Sequence, residues 1–224
     1  MMRQRIGKTV FVYLFLFAIL TTINNKNFHK FLNFKVINLE IQGLDYETNK
    51  YLIREISKID LNNILKVNIK IFKKTIESVN LVQQFNAFKK YPSTININLE
   101  QTELIAQLKF DNNFYLVGAN GKLISSPSTN RELPFIFGKP EINQIIRLKS
   151  LIDKSSFKYV DIQNLFFYKS GRWDIETKSG LIIKLPETNI KQVLVNIFDI
   201  ISNKDFIIKK YIDARVSNQI ILYE

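Results

Sequence analysis

Residues 9–23, TVFVYLFLFAILTTI, carry no charge and no proline. Arg3, Arg5 and Lys8 stand ahead of this stretch, and Asn24, Asn25 and Lys26 follow it. As a helix its fifteen residues rise ~22 Å, short of a ~30 Å hydrocarbon core. Ile6 and Gly7 extend it if Lys8 snorkels to the headgroups. The stretch reads as an uncleaved single-pass anchor. A cleaved signal peptide shares the basic start and apolar middle. The small-residue cleavage pattern is absent, however, since Thr22 pairs with Leu20 and Ala18 with Leu16. A buried core helix fits poorly with three cations and a polar break around a segment that is apolar all round. Positive charge stays inside, so residues 1–8 form a cytoplasmic tail and the bulk of the chain lies on the far side of the membrane.

The remaining two hundred or so residues suffice for two small domains. With no cysteine there is neither a disulfide nor a thiolate metal site. The net charge is +12. Its lysines are dispersed, and the densest groups are the pairs Lys73-Lys74, Lys89-Lys90 and Lys209-Lys210. A nucleic-acid arm is denser and interleaved with aromatics or glycine. The pattern reads instead as a solvated basic surface near anionic headgroups.

After a polar connector, 24–33, which holds the sole histidine, His29, residues 36–42 alternate as a strand. Ile37, Leu39 and Ile41 form one face of it, and Gly43 closes it. Thr48 is positioned to cap a helix running to about Ser57, with Leu52, Ile53 and Ile56 inward. Asn68 is positioned to cap a second, with Ile69, Phe72 and Ile76 a turn apart. Two strands come next, at 82–89 and 94–101, joined by Tyr91-Pro92-Ser93. The order is β-α-α-β-β.

A second module begins with strands at 104–110 and 114–117 around the turn Asp111-Asn112-Asn113. The turn 118–121 then leads to Lys122-Leu123-Ile124. A polar loop, the apolar segment 133–138 and a helix over 141–153 come next. Three strands occupy 160–168, 171–177 and 181–185. Thr188 is positioned to cap a strongly amphipathic helix carrying Ile190, Val193, Leu194, Ile197, Phe198 and Ile201. Residues 211–215 and 218–223 read as the last two strands. The fold class is α+β.

No nucleophile elbow, P-loop or dinucleotide fingerprint is present. Glu100 and Glu103 read as solvent-facing, Trp173 as core. Asp213 and Arg215 share one strand face, either as a surface charge pair worth ~0–1 kcal/mol or as the flank of a recognition edge. The sequence offers no catalytic, cofactor-binding or metal-binding residues and no small-molecule substrate site. A binding or scaffolding role is expected. A tethered enzyme is the reading from another class.

Several segments carry a resemblance. Residues 34–101 resemble a POTRA domain, with Gly43 after the first strand and Tyr91-Pro92-Ser93-Thr94-Ile95 at the hairpin. Residues 102–224 are similar to the β domain of the bacterial FtsQ/DivIB cell-division family. The matching segments are Ile105-Ala106, Leu116-Val117-Gly118-Ala119-Asn120-Gly121, Leu133-Pro134 with Gly138, Arg172-Trp173 through Gly180 to Leu185, and Tyr211-Ile212-Asp213-Ala214-Arg215. Gly118 stands where the family usually has Asp, and Val216 where an aromatic often comes after the arginine. The resemblance implies a domain order of tail 1–8, transmembrane helix 9–23, linker 24–33, POTRA domain 34–101 and β domain 102–224. It also implies an inner-membrane, periplasm-facing, non-enzymatic divisome scaffold that recruits the FtsB–FtsL pair by strand addition. Carried over by position, the partner-binding edge is Arg215, Val216, Ser217, Asn218 and Ile220. A POTRA-bearing outer-membrane assembly or secretion factor, handling unfolded substrates, is the alternative.

Overall fold

The structure, a computed structural model, describes residues 7–23, 34–202, 210–216 and 219–223 of the chain. Helix α1, Lys8–Ile23, is sixteen residues long, a rise of ~24 Å. From Lys8 to Thr21 its side chains are all exposed. Among the described residues no helix is long and apolar enough to cross a membrane. The tail before Gly7 and the connector 24–33 lie outside the described residues.

The chain divides into two compact units. The first comprises Met1–Glu77 and Phe85–Leu99, the second Ser78–Gln84 and Glu100–Glu224. In the first, strand β1 is Asn38–Gln42, helix α2 Tyr46–Ile56 and helix α3 Phe72–Glu77. Strands β2, Val82–Lys90, and β3, Thr94–Gln101, complete a sheet of order β1-β3-β2, with β1 parallel to β3. Leu52, Ile56, Phe72, Ile76, Ile95 and Ile97 are completely buried, each worth about 1.5–3 kcal/mol relative to exposure.

Three local expectations change here. Ile37 does not join the inner face: it precedes the strand and is 76% exposed, while Val36 is buried. Its N–H and that of Asn38 both reach Ser93 O, at 2.8 and 3.2 Å, and the strand begins two residues later than expected, at Asn38. Asp45, not Thr48, caps α2. Its carboxylate accepts from the Thr48 N–H at 2.9 Å and the Thr48 hydroxyl at 2.7 Å, and these bonds hold the acid below the usual carboxylate range. Asn68 caps a 3₁₀ turn, Ile69–Ile71, that leads into α3.

The second unit is built on a nine-stranded sheet. Its strands are β4 Leu104–Phe110, β5 Asn113–Gly118, β6 Leu123–Ser126, β7 Phe135–Phe137, β8 Ile162–Phe167, β9 Trp173–Thr177, β10 Ile182–Lys184, β11 Tyr211–Asp213 and β12 Ile221–Tyr223. The order is β12-β11-β10-β9-β8-β7-β4-β5-β6. The β4–β5 hairpin turns at Asp111 and Asn112, both in the left-handed region (φ 45° and 65°), the conformation that matches the twist of the flanking strands. Strand pairs β7/β8 and β10/β11 are parallel. Parallel neighbours require a crossover, supplied by α4, Ile142–Asp153, and α5, Ile190–Ser202. Both helices cover one face. Ile145, Leu148, Ile152, Leu194 and Ile197 join Ile105, Val117, Ile136, Leu165, Ile175, Ile183 and Ile212 in a single core. Trp173 belongs to it, 4% exposed and 4.8 Å from the Phe167 ring.

The strand expected over 160–168 begins only at Ile162, after a 3₁₀ turn at Tyr159–Asp161. A register shift at Leu104/Ala106 interrupts the β4 ladder, and the Tyr159 hydroxyl donates to Ile105 O there at 2.7 Å. The turn delivers that hydroxyl. Gln107 acts similarly on the polar loop. Its buried amide donates to Asn130 O (2.6 Å) and Leu133 O (2.8 Å) and accepts from the Asn130 N–H (2.7 Å), so no buried polar group of that side chain goes unused.

Gly43, at φ 114°, leaves no room for a side chain: a Cβ there would lie 1.8 Å from Leu99 O. Gly43→Ala is expected to destabilise the first unit by about 3 kcal/mol or more, through backbone strain and the displaced strand β3. Urea unfolding followed by circular dichroism measures it; a shift below ~1 kcal/mol would refute the tight β1–α2 turn as a constraint.

Candidate partner-binding edge

The last two strands set the geometry of the C-terminal edge. β11 pairs in parallel with β10 and antiparallel with β12, bringing Tyr211 opposite Tyr223, Ile212 opposite Leu222 and Asp213 opposite Ile221. β12 ends the sheet order. Among the described residues its one strand partner is β11, so its other flank offers backbone N–H and C=O groups.

Asp213 is 6% exposed. Arg215 folds back on it. Its Nε lies 2.8 and 3.0 Å from Oδ1 and Oδ2, its Nη2 2.5 Å from Oδ2, and its backbone N–H 3.1 Å from Oδ1. These bonds, the guanidinium first, hold the Asp213 carboxyl below the usual carboxylate range. The pair is thus a buried acid holding a half-exposed guanidinium rather than two surface charges. A second arrangement of the same kind sits in and beside β9, where Arg172 Nε donates to the buried Asp174 at 3.2 Å. The Arg172 guanidinium lies 4.2 Å from the centre of the Tyr168 ring. Lys184 on β10 stands at the register positions of both Asp174 and Asp213. Acids and cations therefore alternate across three neighbouring strands, with the cationic heads outermost.

Of the five residues expected at the edge, Arg215 and Val216 are exposed. Ile220 instead turns half-buried against the core. The Gln219 N–H bonds Val216 O at 3.2 Å and closes the turn between them. Ser217 and Asn218 lie outside the described residues. Sequence reasoning missed an open cleft of about 560 Å³ beside this turn, lined by Asn189, Gln192 and Asn196 at the start of and along α5 and by Val216 and Gln219. Its walls come from residues 186–196 and 214–220, which the β10–α5–β11 crossover brings together. α5 also leaves Phe198 and Ile201 of its expected apolar stripe exposed.

Two family models match the chain. The C-terminal region of the cell-division protein FtsQ/DivIB matches residues 106–215, and the FtsQ-type POTRA domain matches residues 34–101. The chain belongs to the FtsQ/DivIB family. FtsQ from Rickettsia bellii is 25% identical to it over 175 residues, which cover 73% of this chain and 61% of that protein. DivIB from Clostridium botulinum (strain Hall) is 27% identical over 157 residues, covering 66% and 58%. The chain thus spans about three-fifths of the length of these relatives. The extracytoplasmic domain of DivIB from Geobacillus stearothermophilus, a solved structure, aligns with a TM-score of 0.33 and 12% identity over 42% of this chain and 84% of that one. The match to the FtsQ/DivIB C-terminal region ends at Arg215, so Val216 to Ile220 lie just past it.

Because Asp213 is held below its ordinary value in the folded protein, its contribution is complete above the unfolded carboxylate pKa of ~3.9 and disappears as pH falls through the lower folded value. Asp213→Asn should cost about 1 kcal/mol near neutral pH, after screening of the half-exposed guanidinium. The gap between variant and parent should persist at pH 5 and close as the pH is taken well below 4. Urea denaturation at several pH values reads this, and a gap that widens on acidification would contradict it.

Proposed function

We propose that this FtsQ/DivIB member is a membrane-anchored divisome scaffold that captures partner proteins by adding a strand at β12. The observation carrying this reading is the terminal place of β12 in the nine-stranded sheet, with a neighbour on one flank among the described residues. An incoming extended segment gains main-chain hydrogen bonds there, and side-chain recognition falls to what flanks the edge. In this reading Arg215 and Val216 are the exposed residues that take part, with Ile220 beside them against the core and Ser217 and Asn218 proposed from sequence position alone. Arg215 presents a pre-oriented guanidinium, which favours a carboxylate on the partner and speeds encounter. The partner inferred from the family resemblance is the FtsB–FtsL pair. The family is a cell-division family, and the role is non-enzymatic.

Helix α1 supplies the anchor in this reading. It is apolar on every side, and its Thr21 hydroxyl donates back to Phe17 O and Ala18 O at 3.1 and 2.9 Å, which suits a medium without water. Lys8, its first residue, then lies at the headgroups. The basic tail then stays cytoplasmic, and residues 34–101 and 102–224 work as POTRA and β domains on the periplasmic face of the inner membrane.

Arg215→Glu and Val216→Glu are each expected to weaken capture of an FtsB–FtsL-type partner at least tenfold, equivalent to ~1.4 kcal/mol. Quantitative pull-down of the full-length protein, with Asn218 also altered, measures it. Variants that bind like the parent while folding normally would remove this edge as the site. Protease protection in spheroplasts checks the topology.

A further inference from the structure

The chain is basic after α2, whereas residues 34–60 hold four cations and five acids. Between Leu61 and Leu99 the chain carries six lysines and one acid, Glu77. Part of that charge gathers at the pole where the chain arrives from α1. Four hydrogen bonds define this pole. Ile64 N–H bonds Phe34 O at 2.8 Å, Val36 N–H bonds Leu61 O at 3.1 Å, Ile37 N–H bonds Ser93 O at 2.8 Å, and Lys89 Nζ bonds Leu65 O at 3.3 Å. The entering strand, the loop after α2 and the β2–β3 hairpin therefore meet there.

Three large apolar side chains show to solvent at this pole. Ile37, Leu65 and Tyr91 are 76%, 47% and 59% exposed. Lys35, Lys66 and Lys90 are exposed beside them, with one exposed acid, Asp60, in the cleft that Lys35 and Ile37 line. Aromatic and aliphatic tips interleaved with lysines suit a bilayer interface, where the tips enter the headgroup layer and the ammonium groups meet phosphates. Chain length adds a constraint. From Ile23 to Phe34 an extended chain reaches at most ~40 Å, so this pole stays within that distance of the end of α1.

We infer that this pole of the first unit docks on an anionic phospholipid surface. Ile37, Leu65 and Tyr91 lie at headgroup level, and Lys35, Lys66 and Lys90 contact the phosphates. The inference rests on the reading of α1 as an anchor, which brings the pole to the membrane. Docking there holds the first unit at the bilayer and limits the range over which the anchored chain searches for partners.

The absence of native cysteine permits a direct test in the full-length chain. One cysteine carrying a fluorophore is placed at Ser93, at the pole, or at Gln42, at the far end of β1, ~16 Å away along the strand. Vesicles are phosphatidylcholine alone, or phosphatidylcholine with about a third phosphatidylglycerol, each doped with a headgroup-level quencher lipid. The Ser93 label should be quenched several-fold more than the Gln42 label, and only with phosphatidylglycerol. Lys66→Gln with Lys90→Gln should lower the docked-to-undocked ratio roughly 25-fold, at about fivefold per lysine near an anionic surface. Equal quenching at the two positions, or quenching indifferent to lipid charge and to the double substitution, would overturn the inference. So would a double variant that loses partner capture when the parent shows no lipid-dependent quenching, since the pole would then be a protein contact. Flotation with phosphatidylcholine vesicles tests the anchor separately. If the chain fails to float, the anchor reading falls, and Ser93 quenching by added anionic vesicles still decides the pole.

Discussion

The parallel pairing of β10 with β11 is the constraint on which the C-terminal end depends. Two parallel neighbours cannot be joined by a tight turn, so the chain between them must leave the sheet and return. Helix α5 is that excursion. Its Leu194 and Ile197 are fully buried in the shared core, worth about 1.5–3 kcal/mol apiece. Because β11 arrives parallel beside β10, the short turn after Arg215 can fold β12 back only on the outer side. The exposed backbone rim is thus a consequence of one crossover, and the cleft beside Val216 is another.

Buried polar groups fix the local detail around that frame. Gln107 ties the 127–134 loop to β4 with both ends of its amide. Tyr159 satisfies a carbonyl at the β4 irregularity. Thr102 accepts from the Asn120 N–H and donates to Gln83, while the Asn120 amide donates to Asn80 O and Val82 O. That knot explains why the segment Ser78–Gln84 groups with the second unit. It also constrains Gly118. A Cβ there would sit 2.5 Å from Asn120 Oδ1 and 2.9 Å from Thr102 Cγ2. Asp213 obeys the same rule: a buried carboxylate orients an arginine that is itself half-exposed.

The helix–strand order was legible because burial imposes period: Leu52 and Ile56, Ile95, Ile97 and Leu99, and the start of the α5 stripe all face inward as their spacing indicates. The errors share a cause. Ile37 and the residues before Ile162 are apolar or β-prone, yet tertiary hydrogen bonds, to Ser93 O and Ile105 O, decide where their strands begin. Asp45 displaced Thr48 as the cap of α2 since a carboxylate three residues back reaches both donors of Thr48. Phe198 and Ile201 continue the α5 stripe in sequence but remain exposed.

By itself the sequence determined the apolar leading helix and the two α+β modules, which rest on composition and local periodicity, while the order of its short motifs carried the resemblance to the family. Strand order, the outer place of β12, the Asp213–Arg215 fork and the cleft beneath the turn were decided by tertiary structure alone. They depend on which segments distant in the chain become neighbours, and a side-chain period of two records which face a residue takes but not which strand lies beside it.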